Sequence, residues 1–171
     1  ILVVMEPKHT ENLALKRANL IAGVTQSHLH LLVCDKKSDH SAYLSDLTSV
    51  LNSEGFNISS QQAWDDSQHQ TIINVQQAEG CGLVIKQHFP DNPLKKALLT
   101  PGDWKLLRYC PAPVLMVKTD KPWTGSIILA AVDVGNADGE HRTLHTGIVS
   151  HGFDIATLAK AELHVLTAYP A

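Results

Sequence analysis

Short, continuous apolar runs alternate along this chain with longer segments in which apolar residues recur at helical spacing. Leu83-Val84-Ile85 and Val114-Leu115-Met116-Val117 are two such runs. Uninterrupted apolar runs of this length are typical of parallel strands that are covered on both faces. Strict alternation of strand and helix then places the strands in one parallel sheet with helices on both faces. The chain is therefore predicted to be an α/β protein.

The pattern predicts an open sheet built from a β-α-β-α-β-α-β-α-β sequence. The predicted strands lie at 1–5, 29–34, 57–64, 83–85 and 114–117, and the helices at about 11–26, 42–54 and 68–79, with a fourth after Thr100. The third strand is of mixed polarity. We therefore expect it at the edge of the sheet rather than at its centre.

The start of the fourth helix carries a clear signal. Thr100 can cap the helix, Pro101 suits the first helical position, and Asp103 stands three residues after the cap, as in a capping box. Pro111 and Pro113 mark its end. Because the carboxylate of Asp103 would lie at the positive end of the helix, a bound anion would have to compete with it.

Beyond a turn-forming linker at 119–125 the pattern begins again. A strand at 127–132, a helix at about 141–160 and a strand at 163–166 repeat the order of the first elements. We predict a first domain at 1–118 and the β-α-β beginning of a second at 126–171. Since such a unit cannot bury its own apolar faces, we expect a piece of a longer protein, or else a half-domain that completes its sheet against another surface.

The segment from Cys81 to Lys118 resembles the final third of a universal stress protein domain. Cys110-Pro111-Ala112-Pro113-Val114-Leu115-Met116-Val117 is similar to the PCPVLVV-like last strand of that family. The sequence LLTPGDWKLLRYCPAPVLMVK looks most like the tandem-domain, E-type branch of that family. The resemblance implies a Rossmann-like, adenine nucleotide alpha hydrolase-like fold with five parallel strands in the order 3-2-1-4-5, and a partial repeat after it.

The family's phosphate loop, G-x2-G-x9-G-S/T, is not matched. Gln87, Pro90, Thr100 and Pro101 stand where its glycines and hydroxyl would fall, so only the hydroxyl of Thr100 survives, displaced by one position. Glycine lets successive N–H groups approach an anion, whereas proline lacks the N–H and fixes φ, as Pro93 also does. We therefore expect a degenerate nucleotide site in the first domain, and no cofactor.

The resemblance also places an adenosine contact at a carboxylate that ends the first strand of each domain, in the crevice at the carboxyl ends of the strands. Glu6 and Asp133 hold that position here, although a strand can also simply end in a polar residue. Lys86, Lys95 and Lys96 could steer an anionic ligand, or only stay solvated. The candidate ligand-binding residues are Glu6, Pro7, Cys34, Lys86, Thr100, Asp133 and Val134.

Other patterns point to no catalytic or metal centre. His141 and His145 share a helical face and could bind a metal with Asp138 or Glu140, but no further ligand motif accompanies them, so a solvated face is preferred. No Ser-His-Asp, HExxH, CxxC or Walker signature is present in the sequence.

Composition narrows the possible partners and the compartment. A net charge of −3 without a basic face argues against nucleic acid, and no run approaches the ~18 apolar residues that a membrane span needs. Cys34, Cys81 and Cys110 fall in or beside strand-like runs, which favours reduced thiols in the cytoplasm.

The leading hypothesis is a non-enzymatic universal stress protein that supports survival under stress by binding a small molecule or a partner. One alternative is an ATP-binding switch or weak ATPase that uses the second domain. Another is a carrier of an apolar or nucleotide-linked metabolite. The last strand, Pro113 to Lys118, is apolar and at a sheet edge, and the resemblance implies self-association or inter-domain pairing through it.

Overall fold

The computed structural model describes residues 1–89, 99–133, 135 and 138–167. The chain divides into two compact units, Ile1–Asp120 and Lys121–Ala171. Pro90, Pro93, Lys95, Lys96 and Val134, all named above from the sequence, lie outside the described residues.

The first unit contains one parallel sheet with helices between its strands. Its strands are β1 (Leu2–Met5), β2 (Leu29–Cys34), β3 (Ile58–Ala63), β4 (Val84–Gln87) and β5 (Val114–Val117). Its helices are α1 (Leu13–Thr25), α2 (Ser41–Ser53), α3 (Gln68–Ala78) and α4 (Pro101–Tyr109). The strand order is β3-β2-β1-β4-β5, and every pairing is parallel. The predicted fold class and the edge position of β3 are confirmed.

The core lies on both faces of this sheet, because alternate residues of each strand point to opposite sides. Residues such as Val3, Leu31 and Ile85 pack against α1 and α2. Their neighbours, such as Val4 and Leu32, pack against α3 and α4. The small residues Ala14, Ala18 and Ala22 line the buried side of α1, and such residues let a helix lie close to a sheet.

The helix starts follow the local sequence. The Asn12 side chain caps α1 by accepting from Leu15 N at 3.1 Å. Ser67 caps α3, its side chain accepting from Gln70 N. Thr100 caps α4, and Asp103 completes the predicted capping box. Two orphan donors of α4 are thereby satisfied within the chain.

The second unit is a β-α-β unit formed by β6 (Ile127–Val132), α5 (Gly139–Ala159) and β7 (Glu162–Thr167). The two strands pair in parallel. A Cβ on Gly152 of α5 would come within 3.0 Å of Leu163 Cδ1, so the helix lies close to the strand pair. Ile127 and Leu129 of β6 stay exposed. That this unit begins a second domain of the same kind stays a prediction.

None of the helices in the described part of the chain combines the length and the apolar character needed to cross a membrane.

Leu106 is the buried anchor that holds α4 against the sheet, with no exposed area. We expect Leu106→Ala to lower the free energy of unfolding by about 2–5 kcal/mol, because it removes apolar contacts and leaves a cavity. Lys105→Ala is the matched control, since Lys105 is exposed on the same helix, and its effect should stay within about 0.5 kcal/mol. Urea denaturation followed by circular dichroism measures both. Equal effects of the two substitutions would contradict the packing of α4.

Candidate functional site

Polar side chains gather at the carboxyl edge of the sheet, on the face that carries α3 and α4. Cys34 packs against the core cluster of that face, and Glu6 accepts a hydrogen bond from Gln68 at the start of α3. Lys86 and His88 stand two and four residues after the buried Val84, so their side chains point to the same face. The carboxyl edge of a parallel sheet is where such folds bind ligands.

Asp103, in the first turn of α4, is the centre of a buried network. Lys86 Nζ donates to its Oδ1 at 2.9 Å, and His88 Nδ1 lies 2.9 Å from its Oδ2. The backbone N–H of Thr100 also donates to Oδ2, at 3.3 Å. Lys86, His88 and Asp103 are all at least nine-tenths buried. The network therefore joins the end of β4 to the start of α4.

Opposing effects act on the protonation of Asp103. Burial alone would raise the pKa of its carboxyl, but hydrogen bonds from His88, Lys86 and Thr100 and the charge of Lys86 outweigh burial and lower it. The carboxylate is thus ionised at neutral pH and can only accept hydrogen bonds. His88 Nδ1 must carry the proton that it donates. His88 Nε2 is buried and has no hydrogen-bond partner among the described residues.

The network uses the groups that would otherwise receive an anion at α4. The Thr100 hydroxyl accepts from Asp103 N at 3.1 Å, and the Asp103 carboxylate lies where a negative charge is favoured by the helix. Lys86, named from the sequence as a residue that could steer an anion, is already ion-paired with Asp103. The arrangement binds the protein's own carboxylate.

Two further contacts join the region from the end of β1 to the start of α1 with the end of β4 and the residues just after it. Gln87 Oε1 accepts from Leu13 N at 2.8 Å. The rings of His9 and Phe89 stack with their centroids 4.0 Å apart and their planes 17° from parallel. The crevice between the ends of β1 and β4 is therefore bridged by side chains of this chain.

The other predicted residues of the first unit lie beside the network. Glu6 Oε1 accepts from Gln68 Nε2 at 2.9 Å, and Pro7 follows in a partly buried turn. Burial raises the pKa of Cys34 to about 12, with the Glu6 charge adding to the effect and Lys86 opposing it. The thiol stays protonated at neutral pH, which makes it a poor nucleophile. A role for these residues in ligand binding stays a prediction.

The candidates of the second unit are placed only in part. Asp133 Oδ1 accepts from Gly135 N at 3.0 Å, and Val134 is outside the described residues. Asp138 caps α5 and lies 2.6 Å from His141 Nδ1, while the rings of His141 and His145 are 6.2 Å apart. Within the described ranges no group of three or more His, Cys, Asp or Glu could hold a metal ion.

His88 and the pairing of Lys86 with Asp103 were not predicted from the sequence. The signal was the two-residue spacing of Lys86 and His88, which puts both side chains on one face of a buried strand. A buried cation demands a partner. The carboxylate of Asp103, in the first turn of the next helix, was the available one.

Comparison with known proteins finds relatives and solved structures that are named universal stress proteins. No protein-family model matches the chain. Universal stress protein E of Escherichia coli K12 is 29% identical over 194 residues, which cover 99% of this chain and 61% of that protein. A crystal structure of a protein from Pseudomonas aeruginosa UCBPP-PA14, proposed to be a universal stress protein, superposes with a TM-score of 0.93 at 72% identity, over 99% of this chain and 61% of that one.

A universal stress protein solved in complex with cAMP matches 68% of this chain and 93% of its own, with a TM-score of 0.55 and 14% identity. At that identity the likeness concerns the fold alone. The chain spans 61% of the length of the Escherichia coli and Pseudomonas proteins that it matches.

Removing the charge of Asp103 should destabilise the first unit strongly. We expect Asp103→Asn to lower the free energy of unfolding by about 3–5 kcal/mol at pH 7, because Lys86 is left buried without its counter-ion. A lowered pKa stabilises the fold above the ordinary value of 3.8, and this contribution is lost as pH falls through the folded-state pKa. The difference from the unchanged chain should therefore shrink below pH 3.8.

Urea denaturation at a series of pH values measures this difference. Asp46→Asn, on the exposed side of α2, is the control and should change stability little at any pH. A loss that is the same for both substitutions, or one that does not depend on pH, would contradict an ionised, paired Asp103.

Proposed function

Because the chain belongs to the universal stress protein family, we propose that it is a non-enzymatic member that supports survival under stress by binding a small molecule or a protein partner. We further propose that the nucleotide site of its first unit is degenerate. One observation carries this second part: the Asp103 carboxylate, paired with Lys86, occupies the start of α4. A phosphate there would have to displace a buried ion pair.

The free-energy cost of that displacement opposes phosphate binding at the start of α4. Opening the pair would leave Lys86 or Asp103 as an uncompensated charge, and removing one partner of a buried pair typically costs about 3–5 kcal/mol. The Gln87 contact to α1 and the stack of His9 on Phe89 would have to open as well if a ligand entered between β1 and β4. The loss of these contacts would lower the affinity of this unit for a nucleotide.

The proposal of a non-enzymatic role is supported by the state of three reactive groups at the carboxyl edge of the first unit's sheet. Cys34 has a strongly raised pKa, Lys86 is ion-paired, and His88 is buried. None of the three offers an accessible nucleophile or general base. The three cysteines carry free thiols, which supports the further proposal of a reducing, cytoplasmic location.

A small-molecule ligand remains part of the proposal. The universal stress protein solved with cAMP has the same fold as the matched part of this chain. A member of this fold class can therefore hold a nucleotide. In this chain we propose that any such ligand does not place its phosphates at Thr100.

We also propose that the protein associates through β5, with another copy or with another domain. β5 lies at the end of the sheet order, and Val114, Leu115 and Met116 are only partly buried. An apolar edge strand exposes a row of backbone groups that readily pair with another strand. β3, at the opposite edge, is polar instead, with the sequence ISSQQA.

Nucleotide binding is tested by thermal shift with ATP, ADP and AMP on the 171-residue chain. We expect no stabilisation, whereas a ligand at a hundred times its Kd would add about 2.7 kcal/mol. The universal stress protein solved with cAMP, heated with and without cAMP, is the positive control. Asp133→Asn separates any effect that arises in the second unit. Stabilisation that survives this substitution, with phosphates located at the amides of 100–103, would contradict the proposal.

Association through β5 is tested by light scattering and by hydrogen exchange at rising protein concentration. We expect the mass to rise above that of one chain and the amides of 114–117 to exchange more slowly. Those of β3, 58–63, should not change and serve as the internal control. A single-chain mass at all concentrations, with β5 amides exchanging freely, would rule out self-association through this strand.

A further inference from the structure

A second open space lies at the carboxyl edge of the sheet, over β2 and β3. It is a cleft of about 490 Å³. Residues 35–39, after β2, form one wall, and residues 62–64, at the end of β3, form the other. None of the residues of the Asp103 network lines this cleft. It is separate from the crevice between β1 and β4, so its occupation requires none of the contacts there to break.

Gln62 holds the wall that follows β2. Its Nε2 donates to the carbonyl oxygens of Asp35 at 2.9 Å and Ser38 at 2.7 Å. Its Oε1 accepts from His40 N at 2.8 Å. Three hydrogen bonds from one amide fix the shape of the loop. The cleft is thus formed before any ligand arrives, which lowers the entropic cost of binding.

The two carboxylates of the cleft are used inside the loop. Asp35 accepts from Lys37 N at 2.7 Å, and its other oxygen lies 2.9 Å from His40 Nε2. The hydrogen bond from His40, together with that from Lys37 N, lowers the pKa of Asp35 to about 2. Asp39 accepts from Ser41 N at 2.9 Å, and the bonds from Ser41 lower its pKa as well. Both carboxylates are therefore ionised at neutral pH, and their oxygens accept hydrogen bonds from within the loop.

The two cations of the cleft differ from these carboxylates. Lys36 and Lys37 are exposed, and neither ammonium group forms an ion pair with a carboxylate among the residues that the structure describes. Lys36 Nζ lies 5.4 Å from the centre of the Trp64 ring. Trp64 itself is 37% exposed. The cleft thus presents an indole and two ammonium groups to a ligand.

From this combination we propose that the cleft binds an aromatic anion, a planar ring that carries a phosphate or a carboxylate. The ring stacks on Trp64, a contact that tolerates many ring chemistries because every planar ring has a π-face. The acidic group lies between the ammonium groups of Lys36 and Lys37, which supply the attraction. Neither half is sufficient alone, since one indole or two solvated lysines bind weakly. The site follows from the β2–β3 edge and does not depend on the proposal for the crevice.

Phenyl phosphate is the probe, because it joins one ring to one phosphate, and benzoate tests the carboxylate form. Titration is followed by the indole N–H signal of Trp64 in ¹H–¹⁵N NMR spectra, with Trp104 and Trp123 as internal references. We expect phenyl phosphate to shift the Trp64 signal and the amide signals of 36–39. Inorganic phosphate or phenol alone at the same concentration should shift them far less.

Variants separate the two halves of the site. Trp64→Ala should weaken phenyl phosphate binding about tenfold through lost stacking. Lys36→Gln with Lys37→Gln should weaken it about fivefold and remove its salt dependence. Lys105→Gln and Trp104→Phe, both on α4, are the matched controls and should leave binding unchanged. The lysine pair is exposed, so its double variant remains informative if Trp64→Ala does not fold.

Four results would overturn this site. The Trp64 signal could stay unchanged at saturating probe, or the Trp104 signal could move equally, which marks non-specific contact. Binding by the double lysine variant equal to that of the unchanged chain would remove the anion half. Shifts confined to 100–103 with Trp64 unaffected would place the ligand in the crevice, and that result would contradict both proposals.

Discussion

The ion pair between Lys86 and Asp103 is the interaction on which the first unit's chemistry depends. Lys86 Nζ and Asp103 Oδ1 are 2.9 Å apart, and both side chains are buried. Because both charges are removed from water, each requires the other as its counter-ion. Such a pair adds little net stability compared with apolar packing, but it is costly to break. Its effect is to fix the end of β4 and the start of α4 as one piece.

If the nucleotide site of the first unit is degenerate, as we propose, this pair explains how the fold is kept while that site is lost. The sheet is held by apolar residues on both faces, such as Val3 and Leu31 on one face and Val4 and Leu32 on the other. At the start of α4 the structure has a capping box, in which Asp103 supplies the negative charge that the helix start favours.

The sequence allowed the fold and the helix starts to be predicted, because both are written in local patterns. Apolar runs such as Leu29–Cys34 are typical of strands buried on both faces, and Thr100 with Asp103 makes a capping box at fixed spacing. The pairing of Lys86 with Asp103 is different, since it depends on how the α4 start is placed over the end of β4 in three dimensions. Among the residues that the structure describes, His88 Nε2 has no hydrogen-bond partner, and no local pattern predicts this.

The cleft over β2 and β3 was not predicted either, and its origin shows why. Its lysines and Trp64 are ordinary surface residues in the sequence and become neighbours only because β2 and β3 end side by side, with Cys34 opposite Ala63. A site made by adjacent strand ends has no spacing motif. It can be found only after the strand order is known.

One amide, that of Gln62, fixes the course of the loop after the neighbouring strand. The residue stands on an edge strand whose side chains are nowhere fully enclosed. A single substitution at that position would therefore change the shape of the cleft opening while leaving the buried core unchanged. Relatives with the same fold can therefore differ in ligand specificity at this cleft with little loss of stability.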